Sequence, residues 1–154
     1  MFATDFRVYD YRLPYTLNHV EMIGWLDAKH DYNRGSNNAE TMGKLLRLIV
    51  DRKSGFDLHV NVIRGIHPCN FCGDDISVVD SSGKRAFLGM SELWIPNGKK
   101  WYAMPSLIWH YMNDHSYIPP DELTNAIESF DLASNMVAQS AYDQAVRAKT
   151  EQSA

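Results

Sequence analysis

Apolar and polar positions alternate along Phe6-Arg7-Val8-Tyr9-Asp10-Tyr11 in the manner of a half-buried strand, and Pro14 closes that run. Residues 17 to 27 mix apolar and polar positions around Gly24-Trp25-Leu26 without a sustained period. Asp31 to Asn38 is rich in turn formers and reads as an exposed loop, with Asn37 or Asn38 placed to cap a helix. Met42, Leu45, Leu46 and Ile49 then recur at helical spacing, with Lys44, Arg47 and Asp51 on other faces. This pattern predicts a helix ending near Ser54-Gly55. From Asp57 to Ile63 the period returns to two, placing Leu58, Val60 and Val62 on one face of a predicted strand.

The second half continues in short pieces. Ile76 to Val79 and Ala86 to Leu88 are strand-like and flank a Ser81-Ser82-Gly83 turn. Glu92 to Ile95 and Lys100 to Tyr102 flank Pro96-Asn97-Gly98, a strong hairpin signal between aromatic runs. Pro105 suits the first position of a helix carrying Leu107, Ile108, Trp109 and Tyr111 to about Asn113. A last helix follows Pro119-Pro120. Its stripe is Leu123, Ala126, Ile127 and Phe130, continued by Met136, Val137 and Ala141. No repeat, linker or low-complexity tract divides the chain. The economical reading is one α+β domain over residues 1–150, with 151–154 as a frayed tail.

Composition narrows the class. At 154 residues, 45% hydrophobic and 22% charged, the chain is large enough to bury one core without staples. A formal net charge of -4 argues against a dominant phosphate-binding surface. There is no basic-then-apolar leader pattern at the N-terminus and no apolar run of membrane-spanning length. The expectation is a cytoplasmic protein without a membrane segment.

The two cysteines are the most telling residues. They stand as Cys69-Asn70-Phe71-Cys72, and His110 and His115 follow as an H-x4-H pair. Two thiolates and two imidazoles are the donors tetrahedral zinc prefers. The element order of strand, C-x2-C, hairpins and histidine-bearing helix is that of a treble-clef or finger-like zinc site. Gly73 supports a tight knuckle, because glycine accepts the positive φ such a turn needs. Residues five apart on an ideal helix are separated by about 140° around the axis. His110 and His115 therefore share an ion only if the helix ends or tightens near Asn113-Asp114, where Asn and Asp favour caps.

Two other readings of the cysteines stand beside this one. They could be inert buried thiols, with His110 a core histidine beside Trp109 and Tyr111. They could also be a redox pair, which wants the first cysteine at a helix N-terminus. The sequel Gly73-Asp74-Asp75 and a strand-like run opposes that. His67 is a further ligand candidate. His19, His30 and His59 have no partner at ligand spacing and read as surface or loop residues.

Several blocks together resemble a family of small bacterial proteins of unknown function. They are Gly24-Trp25-Leu26, Gly65-Ile66-His67-Pro68-Cys69-Asn70-Phe71-Cys72, and Tyr102 through Pro120. The family pattern is G-W-L, then G-x-H-x-C-x-x-C, then Y-x-x-P-x-L-I-x-H-Y-x-x-x-H-x-Y-x-P-P. The likeness covers roughly residues 20 to 127. It implies that Cys69, Cys72, His110 and His115 belong to one site with His67 close by, and it implies no activity. Asp74 to Met90 is longer than the pattern expects, and the chain beyond Phe130 lies outside it.

The leading expectation is a non-enzymatic module with a structural zinc ion that binds another protein, in an immunity, adaptor or phage-related role. Trp25, Trp94, Trp101 and Tyr117 are the aromatic candidates for a binding face. One alternative is a zinc-dependent hydrolase using Asp74, Asp75 or Glu92 as base, although no H-E-x-x-H motif is present. Another is a nucleic-acid binder, which the acidic balance opposes. Nothing in the sequence sets the oligomeric state.

Overall fold

A computed structural model describes residues 1–52 and 55–152. Its strands, in chain order, are β1 (Arg7–Tyr9), β2 (Leu17–Met22), β3 (His59–Val60), β4 (Ser77–Val79), β5 (Arg85–Phe87), β6 (Glu92–Asn97) and β7 (Lys100–Pro105). Its helices are α1 (Ala39–Val50), α2 (Ile108–Asp114), α3 (Asp121–Ser129) and α4 (Ala138–Gln152). Five strands form a mixed sheet in the order β1-β2-β7-β6-β3, and β4 and β5 pair as a separate hairpin. This is the α+β class expected.

The β6–β7 hairpin is the sheet's spine. Asn97 pairs with Lys100 across a two-residue turn whose Gly98 has φ +62°, as the Pro-Asn-Gly signal predicts. β2 runs parallel to β7, with Val20 beside Trp101 and Met22 beside Ala103. The expectation for residues 17 to 27 missed β2. Its burial order is irregular, with Asn18 and His19 both exposed between Leu17 and Val20, so a period-two test fails. β1 is shorter than the alternation suggested: Phe6 takes a left-handed backbone angle just before it, and its register with β2 slips between Val8 and Tyr9.

Three other expectations are corrected. The run from Asp57 to Ile63 pairs only at His59–Val60: Asn61 has φ +55°, which ends the strand and leaves Val62 half exposed. Pro105 ends β7 opposite Glu92 and does not start a helix; α2 begins three residues later. The last helix is two helices, since Phe130 leaves α3 in an extended conformation and α4 starts at Ala138.

α1 follows expectation closely. The Asn38 side chain accepts from the backbone N–H of Glu40 and Thr41, and the Asp51 N–H closes the last turn on the Arg47 carbonyl. The helix ends at Val50, so the expected stop at Ser54-Gly55 is late; Ser54 itself lies outside the described residues. The expected tail at 151–154 falls partly outside them as well, α4 running through Gln152. Trp94, Tyr9, Tyr117, Phe56 and Leu17 are the largest fully buried side chains. Tyr9, Trp94 and Tyr142 meet edge to face, which ties α4 to the sheet.

Candidate metal centre

The residues after β3 turn back on themselves at the cysteines. The Cys69 N–H donates to the Asp74 carbonyl at 2.9 Å, and the Gly73 N–H donates to the Cys69 carbonyl at 2.7 Å. Gly73 sits at φ +75°, the conformation expected of a knuckle glycine. The Phe71 N–H points at Cys69 Sγ from 3.4 Å. Upstream, the His67 N–H donates to the Gly89 carbonyl. Gly89 has φ +83°, and a Cβ there would run into the His67 carbonyl oxygen. Glycine is thus required where the strap before the knuckle crosses the segment between β5 and β6.

α2 supplies the histidines. His110 lies on its buried side. The helix stops at Asp114, and His115 caps it at φ -119°, ψ 14°. Ser116 follows at φ +58°, and the N–H groups of His115 and Tyr117 both close on the Tyr111 carbonyl. That turn swings His115 back beside His110, so the angular obstacle in the H-x4-H spacing is resolved by the helix ending where Asn113-Asp114 predicted.

The four side chains converge. Cys69 Sγ is 3.5 Å from His115 Nε2, Cys72 Sγ is 3.6 Å from His110 Nε2, and the two Nε2 atoms are 3.2 Å apart. All four donor atoms lie within 4.8 Å of one another. Zinc bonds of about 2.3 Å to sulfur and about 2.0–2.1 Å to nitrogen give a tetrahedron with S···N edges of roughly 3.6 Å and an N···N edge of roughly 3.3 Å. The three measured separations match those edges, so the donor set fits a tetrahedral ion such as zinc.

The surroundings hold that arrangement. His110 Nδ1 lies 2.6 Å from Asp114 Oδ2, which turns Nε2 toward the cysteines. The Phe71 ring packs on Tyr32, Tyr111 and His115, and the Tyr32 hydroxyl donates to the His115 carbonyl at 2.8 Å. Cys69 is buried and Cys72 exposed. Burial pushes the Cys69 thiol up, and burial together with the neighbouring His110 pulls His115 down. Burial, with both cysteines adding to it, raises the Tyr111 hydroxyl.

The other candidates fall elsewhere. His67 is exposed and outside the cluster, lining a cleft beside it. His59 is not a surface residue. It is buried against Ile49 and Ser91, one ring nitrogen at 2.8 Å from the Ile49 carbonyl and the other at 2.7 Å from the Ser91 hydroxyl, and burial lowers its pKa. Trp25, Trp94 and Tyr117 are core residues, and Trp101 is only partly exposed, so these aromatics do not form an open binding face. Tyr117 anchors the N-terminus through its hydroxyl, 3.0 and 3.1 Å from the two Asp5 oxygens. Sequence reasoning missed Asp114, although its spacing of four from His110 on a helix was available as a signal.

An α+β domain carrying a clustered two-cysteine, two-histidine donor set is the class of protein that this fold and site define. Residues 1–128 match the family described as a domain of unknown function, DUF7919, and the chain belongs to that family. The match begins nearer the N-terminus than the motif resemblance and ends within α3, leaving α4 beyond it. No curated protein and no solved structure matches the chain. Among the described residues, no helix is long and apolar enough to cross a membrane.

Proposed function

We propose that Cys69, Cys72, His110 and His115 hold one structural zinc ion in a finger-like site, and that the domain works as a non-enzymatic module that binds another protein. The observation that carries this reading is the closeness of the donor separations to the edges of a zinc tetrahedron. A shell of four protein donors leaves no position for water or substrate, which distinguishes structural from catalytic zinc. The ion would join the knuckle to the end of α2, two parts of the chain that otherwise meet through the packing of Phe71.

Of the carboxylates named for a hydrolase, Glu92 already accepts hydrogen bonds from Tyr9, Trp94 and Asn61. The protein-binding part of the reading draws on the β4–β5 hairpin, the segment longer than the family pattern expects. Val79 and Phe87 lie on its outward face and are about half exposed, at 48% and 51%.

The test is elemental analysis of the purified protein with thermal melting before and after chelation. One zinc per chain, and a melting temperature lowered on its removal, is the expected result. A metal-free protein whose melt ignores chelator would overturn the zinc reading.

A further inference from the structure

A cleft of about 540 Å³ opens beside the knuckle, with Pro68 and Asn70 in one wall and none of the four donor residues lining it. Its volume lies within the range of small-molecule sites. Tyr11 and Trp25, with ring centroids 4.8 Å apart, form an aromatic side. Arg12, Asn61, Glu92 and Tyr142 are among the polar residues that line it, with His67, Asn70, Ser91 and Ser106.

Glu92 is 4% exposed and has no hydrogen-bonded counter-ion among the described residues. Oε1 accepts from the Tyr9 hydroxyl at 2.7 Å and from Trp94 Nε1 at 3.2 Å, and Oε2 accepts from Asn61 Nδ2 at 2.9 Å. A carboxylate offers about four lone-pair positions, so Oε2 retains one acceptor site. Burial raises the Glu92 pKa, and the Arg12 charge opposes that rise. Arg12 itself is exposed, lies over the Tyr11 ring at 5.1 Å, and has no carboxylate within ion-pair distance among the described residues.

The backbone is also unusual here. Arg12 and Asn61 are two of the four non-glycine residues with positive φ among the described residues, at 57° and 55°. Such angles cost free energy and concentrate at functional sites. Asn61 is held there by Gln139 of α4, whose Oε1 accepts from the Asn61 N–H at 2.6 Å. A cavity, a buried carboxylate with a spare acceptor and two lining residues with positive φ coincide. A purely structural core network explains the buried carboxylate but not the open volume, or a cation with no carboxylate partner among the described residues.

We propose that this cleft binds a small molecule carrying an N–H donor at one end and an anionic group at the other, the donor meeting Glu92 Oε2 and the anion meeting Arg12. Amino acids and nucleoside monophosphates share that chemistry, and the cleft is large enough for either. This site does not depend on the zinc reading.

The test titrates the full-length protein separately with tryptophan, tyrosine and the four ribonucleoside 5′-monophosphates. Calorimetry measures affinity, and the Trp94 indole N–H resonance reports on Glu92, to which it donates. The expected result is saturable binding of a probe from one set, with a shift of the Trp94 resonance. Arg12→Ala, at an exposed position, should weaken that binding roughly tenfold or more while leaving the melt unchanged. Glu92→Gln should weaken it as well. Saturation by an amino acid or by a nucleotide identifies the source. No saturable binding by any probe at millimolar concentration, or binding that Arg12→Ala leaves untouched, overturns the proposal.

Discussion

Asp114 decides which nitrogen of His110 faces the cysteines. Its carboxylate sits 2.6 Å from Nδ1, and a metal-ligating histidine depends on such a partner for tautomer and ring orientation. Asp114→Asn is expected to lower zinc affinity by roughly 10–100-fold with the fold retained, measured by competition with a chromogenic chelator. Equal affinity in the two proteins would remove Asp114 from the site. Cys69→Ser should act more severely, because Cys69 is buried and a structural site's binding energy is also folding energy. Loss of bound zinc and a sharply lower melting temperature are expected. An unchanged melt in both Cys69→Ser and His110→Ala would contradict a structural role. At this scale the Cys69, Cys72, His110 and His115 cluster was legible, since residue type and spacing are properties of the sequence itself. The roles of aromatic residues were not: Trp25, Trp94 and Tyr117 offer the same surface to a partner or to a core, and only the packing decides.

Among the elements, helices with an even apolar stripe and a capping residue were the most readable. α1 shows both, and its Asn38 cap can be tested alone. Asn38→Ala should cost about 1 kcal/mol, a fall in melting temperature of roughly 2–4 °C for a domain of this size. Zinc content should not change, since α1 carries no donor. No measurable loss would mean that the Glu40 and Thr41 N–H groups find water at no cost. Elements set by long-range pairing were harder to read. β2 exists because Val20 to Met22 lies parallel to Trp101 to Ala103, residues far away in sequence. The end of β3 depends on the left-handed angle of Asn61, which Gln139 holds from α4. Pro105 was misread for a local reason: the same fixed φ suits a helix start and the end of a strand, and here it takes the second role. The end of α2 fell where Asn113-Asp114 predicted, although the turn itself is made by His115 and the left-handed Ser116 closing on the Tyr111 carbonyl.

In the molecule as a whole, Glu92 joins the sheet to its surroundings, and its charge makes folding depend on pH. It pairs with Pro105 in the sheet while its side chain takes hydrogen bonds from β1 through Tyr9, from β6 through Trp94 and from the residue after β3 through Asn61. Burial is the largest influence on its carboxyl and lifts the pKa above the ordinary 4.5, more than the three donors lower it. The folded protein therefore holds this proton more tightly than the unfolded chain. Where the folded state binds more protons, stability falls as pH rises. The contribution from Glu92 is fully present below about pH 4.5 and is lost as pH climbs through the raised folded-state value. Glu92→Gln cannot ionise and should lack this decline. The substitution also sets an amide N–H2 against a ring of donors, which adds a constant penalty of about 1–3 kcal/mol. Denaturant unfolding of both zinc-loaded proteins at a series of pH values separates the two effects. The wild-type advantage should be greatest at the acid end and should shrink as pH rises, levelling off once Glu92 is charged in both states. Any acid-induced loss of metal affects the two proteins alike and cancels in the difference. A difference that stays constant across the series would mean that Glu92 titrates in the folded protein as it does in the unfolded chain. Its burial would then carry no electrostatic cost.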